Sequence, residues 1–362
     1  MILDLGEAYP VDETERQLPD AAAALALIER ELPELLPRLR QRHADWARRF
    51  GPAGDGRIAG IEAAIAMGVA RLGLRHGRYG DDFHAYHNEG HALDLLLARI
   101  DALSMHAAGV GLSHEDWLCL ELFAALHDLR QREHGHAEAP IGANEAASIA
   151  EAVRILEACG FRAEREPQLH LALELMIAGS TFDARPAPSA ATAQDIEDAE
   201  NSAELASGGG ALAPRLGTWL ASRAPGLAAR TGTQRALRLA CIAADLDTAN
   251  VGEAFPSLLR SARELAEERE MRAGRRLGAA NSAAPCRDFL LNAQTRYLED
   301  LHRFASAEGE AWLGARKLDN IRRMRMLIER LAAPGCAFQR AATGAEALQA
   351  FMEAGSEAVH SA

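Results

Sequence analysis

Hydrophobic positions recur at three- and four-residue intervals along most of the chain, and apolar/polar alternation is sustained nowhere. From Ala21 to Phe50 the apolar residues Leu25, Leu27, Ile28, Leu32, Leu35, Leu36 and Leu39 keep helical spacing, which predicts one or two helices broken near Pro33 and Pro37. Further helices are predicted over 58–74, 88–105, 114–129, 144–158 (capped by Asn144 and ended by Gly160) and 166–177. Beyond them come 234–246, 256–275, 287–305, 317–331 and 344–352. GPAGDG at 51–56, RHGRYGDD at 75–82 and RQREHGHAEAPIG at 130–142 read as turns and polar loops. Residues 1–20 are acidic, carry two prolines and lack periodicity, so they read as a loose leader. The stretch 184–216, with RPAPSAATAQ, an acidic patch and SGGG, reads as a flexible insertion loop. The expected fold is all-α, organised as a leader with helices at 1–55, a catalytic domain at 56–335 and a C-terminal tail at 336–362.

Composition supports the helical reading. The 362-residue chain is 48% hydrophobic but only 5% aromatic, with Ala and Leu dominant, and these residues lose little conformational freedom in helices. A net charge of −13 and a pI near 5.5 argue against a nucleic-acid polymer as partner, because such a surface repels a polyphosphate backbone. A small phosphate ester is still allowed, since a bound cation would set the local field. Five scattered cysteines form no CxxC pair and read as reduced thiols. With neither a signal-peptide pattern nor an apolar run of membrane-spanning length, the expected setting is cytoplasmic, without a membrane, and a homodimer is allowed.

Three places carry candidate chemistry. In YHNEGH (86–91), His87 and His91 lie four apart, so both imidazoles project from one face at the start of a helix. In ALHDL (125–129), the His127–Asp128 pair sits among apolar neighbours, where a carboxylate is costly to bury unless paired or coordinated. In IAADLD (242–247), Asp245 interrupts an apolar helix and wants a cation. Each has a bland reading: half-buried helix histidines, a helix C-terminal feature, or the polar end of a core helix. Together, His91, His127, Asp128 and Asp245 make a ligand set of two imidazoles and two carboxylates.

This order resembles the HD superfamily of metal-dependent phosphohydrolases. YHNxxHxxD, completed by Asp94 and followed by HD and ADL, is most similar to the cyclic-nucleotide phosphodiesterases. HD…NEAAS (His127, Asp128, Asn144, Glu145, Ser148) resembles a bacterial group of predicted HD phosphohydrolases with an NExxSA motif, and FLLNAQTRYL and ARKLDN resemble that group's C-terminal region more loosely. The resemblance implies an HD-type helical bundle in which His91, His127, Asp128 and Asp245 hold one or two divalent ions (Mn, Fe, Zn or Mg), with Asp128 as the bridging group. It implies hydrolysis of a small phosphorylated substrate, with a cyclic nucleotide one option, through a metal-held hydroxide with His87 as general acid. Glu267 lies where a carboxylate would orient His87, with Glu264 and Glu268 as rivals. Asn88, Asn144 and Thr181 are the expected substrate-binding residues; for Thr181, as for His170 and Asp183 nearby, the alternative is helix surface and cap.

The sequence also departs from the phosphodiesterase pattern. That motif has a further His four residues after the first, where this chain has Gln131, with His134 and His136 as substitutes or plain loop residues. The purine-clamping Gln and Phe have only Gln294 and Phe289 as candidates. Two other classes compete. One is an HD-type mixed-valent di-iron oxygenase, needing extra ligands from His134, His136 or His170; the other is a catalytically silent nucleotide-binding regulator.

Overall fold

The computed structural model describes residues 9–54, 56–106, 111–131, 141–183 and 210–360. The protein is all-α; among the described residues the sole strands are β1 (Phe182–Asp183) and β2 (Gly210–Ala211), paired antiparallel at the two ends of the expected insertion. The insertion's described portion therefore starts as a strand at Gly210, and residues 184–209 lie outside the described set, as do His134 and His136. No helix among the described residues is long and apolar enough to cross a membrane. The five cysteines form no disulfide.

The chain divides into two compact units, residues 1–83 with 87–247, and residues 84–86 with 248–362. The first unit contains α1 (Glu13–Gln17), α2 (Ala21–Glu31), α3 (Leu35–Phe50) and α4 (Arg57–Arg75). It continues with α5 (Glu89–Asp94), which runs through a π-helical stretch (Leu95–Arg99) into α6 (Ile100–His106), and with α7 (His114–Leu126), α8 (Ala143–Ala158) and α9 (Pro167–Ser180). After the strand pair come α10 (Leu216–Arg223), the single turn α11 (Pro225–Ala228) and α12 (Thr233–Asp247).

Local rules explain many boundaries. Asp20 caps α2 by accepting from the Ala23 N–H at 2.9 Å, and Ser113 with Asp116 forms a reciprocal capping box at the start of α7. Every residue of α7 except the half-buried Glu115 is buried, including Trp117, Leu120, Leu122, Phe123 and Leu126. A helix apolar on all sides belongs at the centre of a unit, and its last turn delivers His127 and Asp128 there. Helix α4 crosses that end closely: a Cβ on Gly68 would come within 2.5 Å of the Ala125 carbonyl oxygen, so glycine permits the approach. Helix α12 packs along α9, and a Cβ on Gly179 of α9 would meet the Ala240 Cβ at 3.2 Å.

In the described part of the expected leader, residues 9–20, a buried ion network replaces the loose chain. Glu15 of α1 is buried and pairs with Arg154 at 2.6 Å, Arg71 at 3.3 Å and Arg130 at 3.4 Å. Glu151 of α8 meets Arg71 at 3.1 Å and Arg75 at 2.9 Å. Acidic residues without hydrophobic periodicity look solvated in sequence, but here they neutralise arginines already buried between helices.

The second unit is built from α13 (Phe255–Arg272), a helical run over 283–301, α14 (Ala307–Ala332), a turn at Ala337–Arg340 and α15 (Gly344–His360). Its core gathers Phe255, Leu258, Leu259, Leu290, Leu298, Met324, Leu327, Phe338, Leu348 and Phe351. The expected C-terminal tail thus contributes part of a core, because the turn at Ala337–Arg340 and helix α15 bury Phe338 and Phe351.

Candidate metal centre

His91, His127 and Asp128 come together in the first unit, each offering a ligand atom within 4.8 Å of the others. The carboxylate that joins them from α12 is Asp247. Its Oδ1 lies 3.0 Å from His91 Nε2 and 3.5 Å from His127 Nε2. Asp128 Oδ2 lies 3.1 Å from His127 Nε2 and 3.7 Å from His91 Nε2. The residue expected from α12 was Asp245. Residues 245 and 247 are about 200° apart on a helix, and Asp247 continues the buried stripe Ala236, Ala240, Ala243 at helical spacing. Asp245 is also buried but projects from a different face of α12.

Each ligand is aimed by its element. Asn88 caps α5 by accepting from the Gly90 N–H at 2.7 Å, which sets the first turn carrying His91. Its side-chain oxygen therefore serves as the cap of α5. The His127 Nδ1 donates to the Phe123 carbonyl at 3.2 Å. A carbonyl can only accept, so Nδ1 carries a proton and Nε2 is the ring atom turned toward the carboxylates. Buried Arg99 donates to the carbonyls of Leu246 at 2.9 Å and Asp247 at 2.6 Å, holding the end of α12 in place.

The donor atoms suit a cation. Ligand atoms about 2.1 Å from a common ion are about 3.0 Å apart at right angles and about 3.4 Å apart at tetrahedral angles, and the four imidazole–carboxylate separations run from 3.0 to 3.7 Å. His127 Nε2 and Asp128 Oδ2 are buried and neither makes a hydrogen bond, despite their 3.1 Å approach. Buried polar atoms without partners are costly, and a cation between His127 Nε2 and Asp128 Oδ2 would engage both. The charge balance agrees. Burial opposes the His127 imidazolium, but Asp128 and Asp247 outweigh it and push its pKa up to about 10. Burial disfavours the Asp128 carboxylate as well, yet His127 and His87 bring it down to about 2. The two carboxylates thus favour positive charge at His127.

His87 stands one turn before His91, their rings edge-on at 6.1 Å between centroids, and its charge is felt at Asp128. Glu145, on the first turn of α8, is a further group at the site that the sequence marked by motif but not as a site residue. Burial raises its pKa to about 7, with Asp128 and Asp247 adding to the rise and His87 opposing it. Asn144 does not cap α8, whose N-cap is Gly142; instead its amide donates to Gln131 Oε1 at 3.0 Å. Ser148 accepts from the Arg130 N–H at 3.0 Å, so the NEAAS motif braces the segment that follows the His–Asp pair.

The remaining expected residues fall elsewhere. Thr181 ends α9, buried, with its hydroxyl lacking a hydrogen-bond partner. His170 Nε2 is engaged by the Phe161 carbonyl at 2.7 Å and lines a cleft of about 490 Å³ beside Trp219 and Arg223. Glu267 is a partly exposed residue of α13 placed 4.0 Å from Arg263, an ordinary i,i+4 surface pair. Its neighbour Glu268 is buried and accepts from the Tyr86 N–H at 2.9 Å. Compared with family models, with curated proteins and with solved structures, the chain finds no match.

Proposed function

We propose that the protein is a metal-dependent phosphohydrolase of the HD type, acting on a phosphodiester or nucleotide-type small molecule in a reducing, cytoplasmic setting. The observation that carries this reading is the convergence of His91, His127, Asp128 and Asp247, whose imidazole–carboxylate separations of 3.0–3.7 Å suit a shared cation. A mixed set of two imidazoles and two carboxylates suits Mn²⁺, Fe²⁺ or Zn²⁺, with Mg²⁺ favoured only by an oxygen-richer shell. A divalent ion held there supplies Lewis acidity toward a phosphoryl oxygen and lowers the pKa of bound water.

The chain's own residues have separable parts in this scheme. Asp128 and Asp247 offset the charge of the cation. His127, fixed by the Phe123 carbonyl, directs its Nε2 into the cluster. His87, beside His91 and not among the converging donors, serves as the proton donor to the leaving oxygen. Glu145, with a pKa of about 7, is the carboxyl group whose proton affinity suits exchange at neutral pH.

The test is metal analysis of protein purified without added metal, followed by a Mn²⁺-supplemented hydrolysis screen over cyclic nucleotides, linear dinucleotides, nucleotides and simple phosphodiesters. The expected result is a retained divalent metal and hydrolysis that a chelator abolishes. Failure to bind any of these ions would overturn the proposal, and retained iron with oxygen consumption but no hydrolysis would favour the di-iron oxygenase.

A further inference from the structure

We infer that Gln131, braced by Asn144, limits this centre to a single ion by occupying the second oxygen of Asp128; the inference rests on the metal-centre reading above. Asp128 turns Oδ2 toward His127 and His91, where it makes no hydrogen bond. Its Oδ1 accepts from Gln131 Nε2 at 3.1 Å, and Gln131 Oε1 accepts from Asn144 Nδ2 at 3.0 Å.

Chemistry dictates the direction of this relay. An ionised carboxylate can only accept, so the end of the Gln131 amide facing Asp128 must be its NH₂ group. Its carbonyl is then left for the Asn144 amide. An amide NH₂ has no lone pair for a cation and presents partial positive charge. A second ion sharing Asp128 would have to approach Oδ1 against those hydrogens, with no ligand from position 131. An imidazole at that position, as in the phosphodiesterase motif, would offer a lone pair at the same place. The relay is also rigidly mounted: Gln131 is buried, Asn144 lies on the first turn of α8, and the Ser148–Arg130 hydrogen bond of 3.0 Å ties α8 to the segment between Asp128 and Gln131. Gln131 is therefore a positioning residue, fixing which oxygen of Asp128 is offered and denying the other.

The experiment is a Mn²⁺ titration of the chelator-treated full chain, read by metal analysis and electron paramagnetic resonance. Wild type is expected to take up one Mn²⁺ per chain with the spectrum of an isolated ion. Gln131→His is expected to take up a second, with the broadening of a coupled pair. Gln131→Ala is expected to keep one ion with affinity weaker by about 10–100-fold, as for loss of a group that orients a ligand. Two coupled ions in wild type would overturn the inference and leave the proposed function standing. No ion in wild type would overturn both. Gln131→His confined to one ion, or Gln131→Ala binding as tightly as wild type, would show that the limit does not reside in Gln131.

Discussion

At the scale of single residues, the site depends on which carboxylate of α12 faces the imidazoles. Asp247→Ala removes an oxygen 3.0 Å from His91 Nε2 and should abolish most metal binding, whereas Asp245→Asn should keep it; isothermal titration with Mn²⁺ on both variants reads the difference directly. Equal losses in the two variants would mean that α12 contributes its ligand differently from the arrangement described. His87 is the complementary case. Because it borders the cluster without joining the converging donors, His87→Ala should retain the metal and lower turnover by about 10²–10⁴-fold, the usual range for a general acid. Metal loss in that variant would reassign His87 as a ligand.

At the scale of elements, α7 is held against α3 and α4 by buried charge as well as by packing. His43 of α3 donates to Glu121 of α7 at 2.7 Å and lies 3.4 Å from Glu62 of α4, while Arg42 also pairs with Glu121. Burial opposes the His43 imidazolium, but the nearby carboxylates of Glu121 and Glu62 outweigh it and raise its pKa to about 9 from an ordinary 6.5. A folded-state value above the unfolded one gives stability that is fully present below pH 6.5 and is lost as pH rises through about 9. The contribution is about 3 kcal/mol. Urea denaturation should therefore find His43→Gln less stable than wild type at pH 6, with the gap narrowing toward pH 9.5; a gap independent of pH would show that His43 is held neutral. These charges were invisible to periodicity, because a buried ion pair and a solvated face look alike until the partner helix is known. The same is true of Glu15, which sits in an aperiodic acidic stretch and yet lies buried among three arginines.

At the scale of the whole molecule, the converging donors and their supports (His91, Arg99, His127, Asp128, Gln131, Asn144 and Asp247) all belong to the first compact unit. The second unit has its own core, in which Phe351 is fully buried. Phe351→Ala should therefore cost about 3–5 kcal/mol of stability while leaving the Mn²⁺ affinity of the folded protein unchanged. A weakened affinity at temperatures where circular dichroism reports a folded chain would mean that the second unit supports the centre.

Sequence alone determined the helical architecture, because 3.6-residue periodicity, Ala and Leu richness and local caps such as Asp20 and the Ser113–Asp116 box act within a few residues of themselves. It also picked out His91, His127 and Asp128, since a His–Asp pair in an otherwise apolar segment is conspicuous wherever the segment packs. What only the tertiary structure decided was the carboxylate of α12 that meets the imidazoles and the wiring around it. Asp245 and Asp247 differ by about 200° of helical phase, and both close a largely apolar helix. The stripe Ala236, Ala240, Ala243 pointed to Asp247, but it acquired meaning only once one face of α12 lay against α9. Gln131 likewise read as a missing histidine until Asn144, thirteen residues later, was brought within 3.0 Å of it. Periodicity reports which residues are buried; which of two buried carboxylates meets an imidazole is set by the rotation of one helix against its neighbours, and that belongs to the packing of the whole unit.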